Sequence, residues 1–246
     1  MLEILYRDEH FVAVNKPSGL LVHRSMIDRR ETAFAMQQVR DQIGRHVYPV
    51  HRLDKPTSGV LVFALSSEAA RKMTEIFTAR ETKKEYLAVV RGYTKEHERI
   101  DYPLKEMFDK MTDAKARRDK EAQDAVTEYF RLGTVELPYP VSRYPVARYS
   151  LVHLIPETGR KHQLRRHMKH VMHPIVGDTK HGRGEHNKLF REKFGCHRLL
   201  LHAFRLAFPH PVSGEKVVIE APLDELFAHI VEQLHWNEEV NNVYNH

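Results

Sequence analysis

A chain of 246 residues is long enough to bury a core, and its single cysteine, Cys196, excludes an internal disulfide. Its 39 basic and 33 acidic side chains leave a net charge of +6, a balance that suits a polyanionic partner such as nucleic acid. No signal-peptide pattern and no run of about 18 apolar residues occurs, so the expected setting is cytoplasmic, away from the membrane.

Two strand-like runs, residues 2–6 and 11–15, flank a polar stretch in a hairpin pattern. Lys16-Pro17-Ser18-Gly19 ends the second, because Pro and Gly interrupt sheet pairing. Residues 60–65 are apolar throughout and short enough for a buried strand. Ser66 and Ser67 follow as helix caps, and Ala69, Met73, Ile76 and Phe77 then share one helical face. Residues 86–92 read as the next strand. Residues 105–124 are dense in charge and are expected as an exposed loop or a solvated helix. Another strand spans 146–155. A turn leads to a helix starting near Arg160, with Leu164, Met168, Val171 and Met172 on its apolar face and Pro174 beyond its end. Residues 203–208 and 216–220 form a hairpin around Pro211-Val212-Ser213-Gly214. A last helix over 223–234 precedes a polar tail from Asn237. Strands and helices mix without a βαβ rhythm and no linker divides them. The expected fold class is α+β, in one domain covering 1–246 with no separate N-terminal RNA-binding domain.

Three stretches carry candidate chemistry. In His51-Arg52-Leu53-Asp54-Lys55-Pro56-Thr57-Ser58-Gly59, basic neighbours favour a charged Asp54, suited to act as nucleophile or general base. Equally, Asp54 in a turn can cap backbone N–H groups. In Thr158-Gly159-Arg160-Lys161-His162-Gln163-Leu164-Arg165-Arg166, Arg165 borders the buried face and can reach inward, with Asp54 as a natural partner for a two-bond grip. Arg166 points away, toward solvent or phosphate. In Lys83-Lys84-Glu85-Tyr86, Tyr86 is either a core aromatic or a ring that stacks on an extruded base. His162, His167, His170, His173 and His181 cluster near Asp178, but their spacing matches no metal motif, so no metal is expected. Without a phosphate-cradling glycine loop, no nucleotide cofactor is expected either.

Taken together, these stretches resemble the RluA family of pseudouridine synthases. His51-Arg52-Leu53-Asp54 with Thr57-Ser58-Gly59 is similar to its signature, Lys84-x-Tyr86 to its second motif, and Thr158-Gly159-Arg160-x-His162-Gln163-Leu164-Arg165 to its third. Val14-Asn15-Lys16-Pro17-Ser18-Gly19 and Leu200-Leu201-His202-Ala203 also resemble family patterns, in the same order. The extended start over 20–25 and the charged middle segment are most similar to the members that modify position 65 of tRNA. A ribosomal RNA target within the family is the alternative, and a non-catalytic RNA-binding protein is a more distant one. The resemblance implies isomerisation of uridine without cofactor, metal or obligate protein partner. Asp54 would be the essential carboxylate, attacking the sugar carbon or the base ring, or abstracting a sugar proton. Arg165 would pair with it. Tyr86 would stack on the flipped base and help exchange its proton. Arg52 would fill the space the base leaves, and Lys16, Arg160, His162 and Arg166 would meet RNA.

Overall fold

The computed structural model describes residues 1–23, 33–107 and 121–245. In chain order the elements are β1 (Glu3–Arg7), β2 (Phe11–Lys16), α1 (Ala35–Ile43), β3 (Tyr48–Pro49), β4 (Ser58–Ala64), α2 (Ser67–Thr78), β5 (Lys83–Arg91) and β6 (His97–Asp101). There follow β7 (Val126–Leu137), β8 (Ala147–Pro156), α3 (Gln163–His170), α4 (Gly184–Phe194), β9 (Leu201–Pro209), β10 (Lys216–Glu220), α5 (Glu225–Gln233) and α6 (Asn237–Tyr244).

One mixed, mostly antiparallel sheet runs β1-β2-β4-β9-β5-β8-β7-β6, with β3 added to β4 and β10 to β9. Alternate residues of its central strands feed opposite faces. Val12, Val14, Leu61 and Phe63 pack with α1 residues Ala35 and Val39. Phe11, Ala13, Val60 and Val62 pack with α2 residues Ala69 and Met73. Farther along, Leu87, Tyr149 and Leu151 meet α4, α5 and α6, while Ala88, Val152 and Leu154 meet α3. Because helices cover both faces, the central strands are continuous apolar runs rather than alternating ones. Ser66 caps α2 by accepting from Ala69 N at 3.1 Å, as its sequence position predicts.

Two expectations are corrected. The helix near 160 starts at Gln163 and stops at His170, so Met172 leaves the helix, adopts φ 69° and is 61% exposed. Its expected place on the buried face is taken by His167, which donates to or accepts from Thr127 Oγ1 at 2.9 Å. The polar tail is a helix, α6, anchored by buried Trp236 and Val240. Gly133 of β7 makes room for Trp236: a Cβ there would lie 2.7 Å from the indole Nε1. The charged segment is described only at its ends, where Leu104 bridges Gln123; residues 108–120, like 24–25 of the extended start, lie outside the described residues. Among the described residues no helix is long and apolar enough to cross a membrane.

Candidate active site

The Asp54 loop enters β4 where that strand meets β9 in the parallel pairs Ser58↔His202 and Gly59↔Ala203. Gly59 has φ 114°, and a Cβ on it would fall 2.1 Å from the Ala203 carbonyl oxygen, so only glycine fits this approach. Ser58 Oγ accepts from Arg198 Nη2 at 2.8 Å and lies 2.7 Å from His202 Nδ1. Burial holds the His202 pKa down to about 4, so the ring is neutral and its Nε2–H donates to the Ala221 carbonyl at 3.0 Å. Arg198 continues to Asp224, the N-cap of α5. The Thr57-Ser58-Gly59 and Leu200-Leu201-His202-Ala203 stretches are thus two halves of one junction.

The loop itself turns back through Thr57 N, which donates to Asp54 O at 3.0 Å. His51 Nε2 accepts from Val62 N at 3.0 Å and its ring stacks on Phe77. This requires a bare ring nitrogen, and burial, aided by Lys84, lowers the His51 pKa to about 4. Residues 16–20 clamp the loop from the other side. Gly19 N donates to Lys55 O at 2.8 Å and Ser18 Oγ to Pro56 O at 2.7 Å. Lys16, expected at RNA phosphates, is corrected here. It is fully buried, and Nζ donates to the carbonyls of Pro17, Leu20 and Lys55 at 3.0, 2.8 and 3.1 Å. A side chain without exposed surface cannot meet a phosphate.

Arg165, on α3, reaches Asp54 from across the cleft, but not by the expected two-bond grip. Its Nε and Nη2 fork onto Asp178 at 2.7 and 2.9 Å, and only Nη1 extends to Asp54 Oδ2, at 3.1 Å. Asp178 is buried, and its carboxylate also accepts from Lys180 N and His181 N at 2.9 and 2.8 Å. These donors, led by Arg165, hold its pKa below the usual carboxylate value against the opposing effect of burial. His162 completes this side: Nε2 stands 3.8 Å from Asp54 Oδ2, and Nδ1 lies 2.9 Å from His181 Nε2. Asp178 and His181 stand out in the sequence only as members of the histidine cluster. Their role as supports for Arg165 and His162 has no local signal.

The start of α3 explains the rest of its motif. Thr158 Oγ1 accepts from Val126 N at 3.0 Å and donates to Gln163 Oε1 at 2.6 Å. Gln163 Oε1 also accepts from Arg160 N, while its Nε2 donates to Val126 O and Thr127 Oγ1. This knot fixes His162 in a left-handed conformation, φ 55°, that turns the chain into the helix. A shift of register between Glu85 and Tyr86 in the β5–β9 pairing marks a bulge, a device that re-aims a side chain. Tyr86, half-buried, lines the cleft beside Asp54. Burial, then the charge of Asp54, raise its pKa, so it remains a neutral phenol at physiological pH.

These groups line a cleft of about 650 Å³, wide enough for a nucleoside. Arg52 is exposed at its edge, and Arg160, half-buried, donates Nε to Asp124 O at 3.0 Å. Arg80 and Lys84 also line it; sequence reasoning passed over Arg80, and Lys84 entered only as a motif position. Arg166 lies outside this lining and is half-buried, with part of its surface open to solvent. The other histidines have separate partners. His167 contacts Thr127 and Tyr102, His170 stacks on Tyr102, and His173 lies 2.8 Å from Arg91 O. Among the described residues no three His, Cys, Asp or Glu side chains are grouped as metal ligands.

Residues 10–170 match the RNA pseudouridylate synthase family. The chain belongs to that family. The synthase is 58% identical over 236 residues to tRNA pseudouridine synthase C of Vibrio vulnificus (strain CMCP6), covering 96% of each chain. It is 57% identical to tRNA pseudouridine synthase C of Haemophilus influenzae (strain ATCC 51907 / DSM 11121 / KW20 / Rd), covering 96% of this chain and 99% of the relative. The solved human RNA pseudouridylate synthase domain containing 1 superposes with TM-score 0.70 at 27% identity, over 96% of this chain and 95% of its own. The α+β fold and the resemblance to the RluA family therefore hold, and the synthase is an isomerase.

Proposed function

We propose that the synthase isomerises a uridine of tRNA to pseudouridine, at position 65, with Asp54 as the catalytic carboxylate. The reading extends the names of its relatives to this chain. In the reaction the C1′–N1 bond breaks, the base turns, C1′–C5 forms, and the C5 proton leaves to solvent while N1 gains one. No atom is transferred to an acceptor, so the residues must hold, orient and exchange protons without a cofactor.

The observation that carries the reading is the position of Asp54, at the cleft wall and fixed through Oδ2 by an arginine that is itself fixed by Asp178. Such pre-organisation favours charge developing on the nucleoside without rearrangement of the site. Tyr86 stacks on the extruded base and offers a phenol O–H; its raised pKa argues against a phenolate base at neutral pH. Arg52 occupies the space left in the RNA, and Arg160 and His162 line the same cleft. One catalytic domain acts alone, in the cytoplasm, where the buried thiol of Cys196 stays reduced.

The test is release of tritium from C5-labelled uridine in tRNA. Asp54→Asn is expected to abolish release while tRNA still binds; release at the wild-type rate would remove Asp54 from the mechanism. Mapping pseudouridine in cells without the gene distinguishes the targets: loss confined to ribosomal RNA would refute the tRNA assignment.

A further inference from the structure

We propose that His181 is a positioning residue: its Nε2–H donates to His162 Nδ1 and so fixes the tautomer in which His162 Nε2–H faces Asp54 Oδ2, leaving Oδ1 as the oxygen presented to the nucleoside. This rests on the reading of Asp54 as the catalytic carboxylate.

The geometry reduces to a choice between two arrangements. His162 Nδ1 lies 2.9 Å from His181 Nε2, with the rings nearly perpendicular at 81°, and His162 Nε2 lies 3.8 Å from Asp54 Oδ2. Burial keeps His162 neutral, holding its pKa to about 4; Asp54 opposes this, while Arg165, His181 and Lys180 reinforce it. His181 is also held neutral at physiological pH, by burial first, with Asp178 opposing and Arg165, Lys169 and Lys180 adding to it. Two neutral rings share one hydrogen bond, and each has one N–H to place. If His162 donated from Nδ1, its bare Nε2 lone pair would face a carboxylate. If His181 donates, His162 turns its only N–H toward that carboxylate. Electrostatics selects the second arrangement, and the bond at one ring nitrogen sets the proton on the other.

Asp178 joins the two arms. It accepts from Arg165 Nε and Nη2 and from the backbone N of His181, so one buried carboxylate sets the position of both groups that face Asp54. Both converge on Oδ2: Arg165 Nη1 bonds it at 3.1 Å, and His162 Nε2 stands within a small closing motion of a bond. Among the described residues no hydrogen bond reaches Oδ1. The carboxylate is thus held by one oxygen and free at the other.

The tautomer is read from ring-nitrogen chemical shifts of isotope-labelled free enzyme. The expected result for His162 is a bare Nδ1 and a protonated Nε2; a protonated Nδ1 overturns the proposal. In kinetics, His181→Leu is expected to lower kcat about ten-fold with KM for tRNA changed less than about two-fold, and His181→Gln, which keeps an amide donor, to recover most of that loss. No loss in His181→Leu, a loss carried by KM, or equal loss in both variants overturns it. The shift measurement needs no turnover, so the two readings fail separately. An active Asp54→Asn enzyme removes the reading of Asp54, whereas an inactive one with Nδ1–H on His162 removes only the role of His181.

Discussion

Lys16 and Arg165 are both buried cations beside the Asp54 loop, yet the fold surrounds them in opposite ways. Lys16 ends on three neutral carbonyls, and burial, with Arg198 adding to it, lowers its pKa to about 7. Arg165 ends on two carboxylates, which raise its pKa above the usual value against burial. The carbonyl side is a mechanical clamp: it holds the loop against β2 through neutral carbonyls, with no carboxylate among them. The carboxylate side is an electrostatic relay, in which Asp178 orients Arg165 and Arg165 orients Asp54. Buried charge beside an active site therefore has no single meaning; the charge of its partners separates scaffold from chemistry.

The largest effect is expected from cutting the relay at its base. Asp178→Ala leaves a buried guanidinium with two of its donors unpaired and strips the acceptor from Lys180 N and His181 N. Removing one partner of a buried pair costs about 3–5 kcal/mol, and kcat for tritium release should fall by about two orders of magnitude. Arg165→Lys is a milder cut, because an ammonium lacks the planar fork that spans both carboxylates. If Asp178→Ala unfolds at the wild-type urea midpoint and keeps wild-type kcat, the relay description is wrong.

The contrast also marks what sequence could and could not tell. Asp54, Arg165 and Tyr86 stood out as candidates from a Pro/Gly loop before an apolar strand, a border position on an amphipathic helix and a strand start, but Asp54 as a turn cap and Tyr86 as a core aromatic stayed open until the resemblance to the RluA family joined the three. Asp178 was not legible as a support, because its partner Arg165 is thirteen residues back, across the helix end and a turn, and the contact is tertiary. Lys16 was misjudged for the same reason. The resemblance placed it at RNA, and nothing local announces three carbonyls arriving from residues 17, 20 and 55. The fold was readable wherever the apolar pattern was clean, as a continuous run in β2 and β4 and as one helical face in α2. It was lost in β7, where charged residues and a register shift between Arg131 and Gly133 break the alternation. In α6 a signal existed. Trp236, Val240 and Tyr244 recur every four residues, but Asn and Glu between them lower the apparent hydropathy.

On the clamp side the expected effects are on stability rather than rate. Lys16 pairs across the sheet with Gly59, so both residues test the same junction. Gly59→Ala drives a methyl into the Ala203 carbonyl at a backbone angle L-residues avoid, and should cost about 3 kcal/mol, read as a lowered urea midpoint. Lys16→Met leaves the Pro17 and Leu20 carbonyls without this donor and should cost about 2 kcal/mol near neutral pH. It should also change the pH dependence. The folded pKa of about 7 lies below the ordinary 10.5 of the unfolded chain, so between these values the unfolded state binds more protons. Wild-type stability therefore gains a contribution that grows as pH rises above about 7, and Lys16→Met loses it. Parallel urea midpoints for the two proteins between neutral and alkaline pH would show that Lys16 is protonated equally in both states, and the clamp would then be an ionic one.

The smallest effect sharpens the comparison most, because it asks which basic residues touch RNA at all. Arg52 is exposed at the edge of the cleft, whereas Lys16 has no exposed surface. Each phosphate contact adds counterion release, so Arg52→Ala should reduce the slope of log K against log salt for tRNA binding by about one. Its unfolding free energy should stay within about 0.5 kcal/mol of wild type, since an exposed side chain away from a core leaves stability nearly unchanged. Lys16→Met should do the reverse, lowering stability and leaving the salt slope alone. A reduced slope in Lys16→Met with an unchanged midpoint would place Lys16 at the phosphates and undo the distinction between clamp and relay. A flat response from Arg52→Ala would leave that distinction standing and move the phosphate contact to other cations lining the cleft, among them Arg80, Lys84, Arg160 and Lys161.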